Sequence, residues 1–107
     1  MRHQIPVGLG LFTLAVAVLP ALAQEGDARA GLTVAQNTCA ACHAIRKGQQ
    51  SANANAPAFD RIASVPGMTA IALQASLQTS HRSMPNLILS TEDRRNVVAY
   101  ILSLQPK

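Results

Sequence analysis

Residues 39–43 read Cys39-Ala40-Ala41-Cys42-His43: two thiols three positions apart, with an imidazole directly after the second. On one helical turn, positions i, i+3 and i+4 share a side, so all three groups can address the same object. A disulfide across so short a loop would do little to staple a fold. A redox dithiol of the thioredoxin type calls for a βαβ setting, and a structural zinc site calls for four ligands, where only His43 and His81 could join the pair. Cys-x-x-Cys-His is the pattern of covalent haem attachment. Thiols at this spacing reach the two vinyl groups on one porphyrin edge and form thioethers, and the histidine lies where it can bind the iron. Its other ring nitrogen then needs an acceptor to fix its orientation.

On the N-terminal side of the motif, Ala28, Leu32, Ala35 and Cys39 recur at helical spacing with Gly31 on the same side, and the spacing predicts a short amphipathic helix over 27–39. Glycine inside a helix costs up to ~1 kcal/mol against alanine. Gly31 is therefore expected either to admit another helix backbone or simply to be tolerated there.

Farther upstream the composition changes. Arg2 and His3 lead into an uncharged apolar run, Val7 to Leu19, followed by Pro20 and the small residues of Ala21-Leu22-Ala23. The run is short of the ~20 residues that a bilayer span needs. It has the order of a secretory signal peptide, residues 1–23, cut after Ala23. Residues 24–107 are then the mature domain, expected to be exported to the periplasm, monomeric and without a membrane anchor. Of the charged residues only Arg2 leaves, so the mature chain keeps all but one unit of the full sequence's net +4. That balance is weak, and the Lys and Arg are scattered without aromatic interleaving, which sets nucleic acid aside. A domain this small has a marginal apolar core. Phe59 and Tyr100 are its only aromatic side chains beyond the leader, so a bound cofactor would have to supplement them.

On the C-terminal side, Arg46 to Ala58 is polar, has no sustained apolar period and reads as a loop with Pro57 near its end. A helical turn is expected from Phe59 to Val65, and Pro66-Gly67 breaks it. The run from Thr69 to Gln78 is helical in pattern, with Met68, Ile71, Ala72, Ala75 and Leu77 as its expected buried face. Thr79 to Leu89 reads as a loop around Met84-Pro85. The last helix is the best signalled. Ser90 is an N-cap candidate with Asp93 three residues on, Val97, Val98, Ile101, Leu102 and Leu104 form the stripe, and Pro106 stands beyond the end. No alternating strand pattern of useful length occurs. The fold class is all-α, three to four helices wrapped round one haem.

The order of these landmarks resembles that of the class I c-type cytochromes along nearly the whole mature chain: Gly31, the Cys39–His43 motif, Pro57 with Phe59, Met84-Pro85, and the closing Ala99-Tyr100-Ile101-Leu102 helix. The resemblance implies haem c bound by Cys39 and Cys42, His43 as proximal iron ligand, Met84 as distal iron ligand, and the Pro57 carbonyl as partner of His43. It also implies that Gly31 lies where the first and last helices cross, near Tyr100. Tyr100 could hydrogen-bond near the cofactor or fill that interface. Where the family often has an aromatic residue four positions after the glycine, this chain has Ala35, so the crossing should be looser or closer than usual.

Met84 has two rivals as distal ligand. Met68 heads an apolar helix face and reads more simply as packing. His81 sits among Ser80, Arg82 and Ser83 and reads as a solvated loop residue. With histidine and methionine both bound, no coordination position is left for a substrate, so the resemblance implies a one-electron carrier and not an enzyme. A haem enzyme or gas sensor with a displaceable distal ligand is the alternative of another class, and a dedicated subunit of a dehydrogenase or oxidase is a third. The partners are redox proteins, and Arg46, Lys47 and Arg82 are candidates for a basic docking rim.

Overall fold

The computed structural model describes residues 3–17, 26–79 and 83–107. Among these, regular structure is helical: α1 over Ala28–Val34, continued by a π-helical turn over Ala35–Cys39, then α2 over Phe59–Ala63, α3 over Ala70–Gln78 and α4 over Thr91–Ser103. The all-α expectation holds. Residues 3–17 have no regular structure, and their large apolar side chains, Phe12 among them, are exposed. Ala21, Leu22 and Ala23, with the expected cut, lie outside the described residues, as do His81 and Arg82.

The framework is the crossing of α1 and α4. Asp27 caps α1 by accepting from the Arg29 and Ala30 N–H groups, and its own N–H donates to Asn96 Oδ1 at 2.8 Å. Gly31 explains itself at the same place. A Cβ there would overlap the Asn96 carbonyl and approach Tyr100 Cβ to 2.8 Å, so only glycine lets the two backbones meet. Ala35, one turn on, is fully buried, and its small side chain keeps the crossing tight. Of the two outcomes open at that position, the close one is realised.

α4 starts where the sequence signals it: Asp93 N–H donates to Ser90 Oγ at 3.0 Å, with Glu92 and Asp93 in the first turn. Val97, Val98, Tyr100 and Ile101 are buried on its inner face, and Asn96, a polar residue outside the expected stripe, is buried with them. Its side-chain oxygen accepts the bond from Asp27 N–H, which offsets the cost of burying that oxygen.

α3 departs from expectation in its rotation. Leu73 is the buried residue, with Ala70 and Leu77 half-buried beside it, whereas Ile71 is 81% exposed and Ala72 and Ala75 face solvent. The helix carries no charged side chain and has apolar residues on more than one face, so the pattern alone could not fix its phase. Met68 packs against the core from the bend before the helix, where Gly67 takes a positive φ of 75°, so it does not share α3's phase.

Candidate haem site

The attachment motif sits where the first helix ends. Widening from α to π geometry brings the Ala40 N–H to the Ala35 carbonyl at 2.9 Å, five residues back. Cys39 closes that π turn. His43 N–H then donates to the Cys39 carbonyl at 2.9 Å, holding the next four residues in a tight turn. Cys39 is buried and Cys42 half-buried, and burial pushes the Cys39 thiol above its usual range.

The His43 ring is held from two sides. Its Nδ1 lies 2.6 Å from the Pro57 carbonyl oxygen, and its face tilts against Phe59 at a centroid distance of 5.4 Å. A carbonyl can only accept, so Nδ1 carries a proton, and in the neutral imidazole Nε2 is then the nitrogen whose lone pair can bind a metal. Phe59 N–H donates to the Ala44 carbonyl at 2.9 Å, which anchors Pro57 two residues earlier.

Cys39, Cys42, His43, Pro57 and Met84 line one cleft of about 400 Å³. Its walls are mostly apolar, with Phe59, Ile62, Leu73, Leu77, Val97 and Ile101 contributing. Sequence reasoning did not single out these wall residues as lining, nor Asn53 and Asn55 from the polar loop. The helix periodicity marked several of them as core, but could not separate core from cleft wall. The donor set suits a haem. Two thiols lie along the cleft, an imidazole nitrogen is free for the metal, and the thioethers of Met84 and Met68 are the soft neutral donors available. Apolar walls of this kind favour a largely apolar ligand.

Other residues that the sequence put forward lie elsewhere. Tyr100 does not line the cleft. It is buried behind Phe59, ring centroids 6.5 Å apart, and its hydroxyl donates to the Ile45 carbonyl at 2.6 Å. Arg46 and Lys47 are exposed and do not line the cleft, and Lys47 borders a separate surface groove with Asp60 and Arg61. Among the described residues no helix is long and apolar enough to cross a membrane.

Comparison with known proteins agrees with this geometry. Residues 26–101 match the family described as cytochrome c oxidase, cbb3-type, subunit III. The chain is 37% identical over 93 residues to cytochrome c-552 of Bradyrhizobium diazoefficiens, an alignment that spans 87% of this chain and 89% of the relative. No solved structure matches the chain significantly.

Proposed function

The chain belongs to the class I c-type cytochromes, electron carriers with a covalently bound c-type haem, and within that family we propose a single-haem carrier with histidine and methionine as axial ligands. Cys39 and Cys42 form the thioethers, His43 is the proximal ligand and Met84 the distal one. The haem supplies the one-electron iron couple. The protein's part is to hold both ligands in place, so that oxidation and reduction need little rearrangement. The Pro57 carbonyl at 2.6 Å from His43 Nδ1 supports this reading best, because it fixes the ring and raises the basicity of Nε2. A thioether ligand and apolar walls favour the ferrous state and raise the potential.

Met84 is preferred to Met68 because Pro85 stiffens the chain immediately after it, whereas Met68 packs against the core cluster. Residues 1–23 act as a leader removed on export to the periplasm. Exposure of Val7, Leu9, Leu11 and Phe12 supports its removal, since a soluble domain rarely keeps so apolar a stretch in water. The mature domain acts as a monomer that meets its redox partners transiently, with Arg46, Lys47 and Arg82 steering an acidic partner. The family description favours a second reading, a standing subunit of an oxidase. Native mass of the purified material separates the two.

The test of ligation is the ferric optical spectrum of the mature protein beside Met84→Ala. A methionine-to-iron charge-transfer band should be present in the wild type and absent in the variant. A band that survives in Met84→Ala and disappears in Met68→Ala would move the distal role to Met68.

A further inference from the structure

The backbone of the attachment motif and of the two residues after it is held by a set of bonds, two from side chains and two from backbone N–H groups. Ala44 N–H donates to Ser51 Oγ at 3.0 Å, and the Cys42 carbonyl accepts from Asn53 N–H at 3.1 Å. The Ala44 carbonyl accepts from Phe59 N–H, and the Ile45 carbonyl accepts the Tyr100 hydroxyl at 2.6 Å, across a sequence separation of 55 residues. Ala44 and Ile45 are both buried, so their backbone groups are poorly placed to turn to water if a partner is lost. His43 therefore sits inside a bracket. Its ring is bonded to Pro57, and the residue after it is bonded both to the loop that carries Pro57 and to Phe59, which follows Pro57 by two positions.

We propose that Ser51 and Tyr100 are positioning residues for His43, acting through the backbone of Ala44 and Ile45. Ser51 folds the polar loop back onto Ala44, which sets where the Pro57 carbonyl meets Nδ1. Tyr100 ties the segment to α4, so the ring plane of His43 is referred to the helix crossing at Gly31. The inference rests on His43 as the proximal ligand. Neither residue touches the cofactor in this account. Tyr100, which the sequence offered as either a cofactor contact or an interface filler, acts instead through Ile45.

The experiment uses the holoprotein and reads two quantities besides stability: solvent exchange of the His43 Nδ1–H by NMR and the midpoint potential. Removing one bond of this kind loosens the bracket by about 1 kcal/mol, so Ser51→Ala should speed that exchange about fivefold and shift the potential. Ser51→Thr, which keeps a hydroxyl, should restore both. Tyr100→Phe, which keeps the ring, should move both in the same direction as Ser51→Ala. Val98→Ala serves as the control, since it opens the core without touching the bracket and should lower stability with exchange and potential unchanged. Wild-type exchange and potential in both Ser51→Ala and Tyr100→Phe would overturn the proposal, as would equal shifts in Val98→Ala. Absence of hyperfine-shifted His43 ring signals in the oxidised wild type would overturn the ligand assignment itself, and the positioning role with it.

Discussion

The two sides of the cleft are built by different physics. The side that carries Cys39, Cys42 and His43 is fixed by directed bonds: a π turn, a ring nitrogen on the Pro57 carbonyl, and backbone groups held by Ser51, Asn53, Phe59 and Tyr100. The opposite side, from Ile62 to Thr91, contains one formally charged residue, Arg82, and brings Leu73, Leu77, Met84 and Leu87 to the cleft as apolar wall. Covalent attachment and proximal ligation demand angular accuracy, which hydrogen bonds supply. A distal thioether on a flexible side chain demands only a segment of adequate length pressed against an apolar surface. Substitutions on the first side should therefore alter the chemistry sharply, and many on the second should not.

The largest effect is expected when attachment is prevented. A cleft lined by apolar residues and left without its occupant exposes those side chains to water, in a domain whose stability is marginal to begin with. Protein made without haem should accordingly fail to hold the fold, and Cys39 and Cys42 should be alkylated at equal rates. A Cys39 that reacts much more slowly than Cys42, as its buried and raised thiol would in a folded chain, would show that packing suffices without the cofactor.

Next comes the crossing that carries the first side. Gly31→Ala places a methyl into the Asn96 carbonyl and should cost about 2–3 kcal/mol, read as a lower midpoint in chemical denaturation of the holoprotein. Asn96→Ala leaves the Asp27 N–H without its acceptor and should cost about 1–2 kcal/mol by the same measurement. On the other side, Ile71→Gln at an 81% exposed position should change stability by less than about 0.5 kcal/mol, and a clear loss would mean that the outer face of α3 is covered in solution.

Legibility in the sequence divides along the same line. The attachment motif and the Ser90 cap could be read because each rests on a local rule, thiol spacing in one case and an N-cap hydroxyl in the other; the cost of glycine in a helix left Gly31 open between packing and tolerance, and the resemblance put it at the crossing. The phase of α3 could not be read, since a helix without charge and with apolar residues on more than one face leaves the cleft to decide between them. Asn96 was passed over for the same kind of reason, because its burial depends on Asp27, far away in sequence. Ser51 and Asn53 stand in a polar loop where nothing local distinguishes a hydroxyl bonded to Ala44 from one facing water.

The central claim is that Cys39 and Cys42 carry the haem covalently. It is tested most directly by the intact mass and pyridine haemochrome spectrum of the denatured protein from a host able to mature such proteins, beside Cys39→Ala and Cys42→Ala. The account predicts one haem retained through denaturation in the wild type, with the spectrum of two thioether links, and one link fewer in each variant. A wild-type chain that emerges colourless at the mass of its polypeptide alone would contradict it.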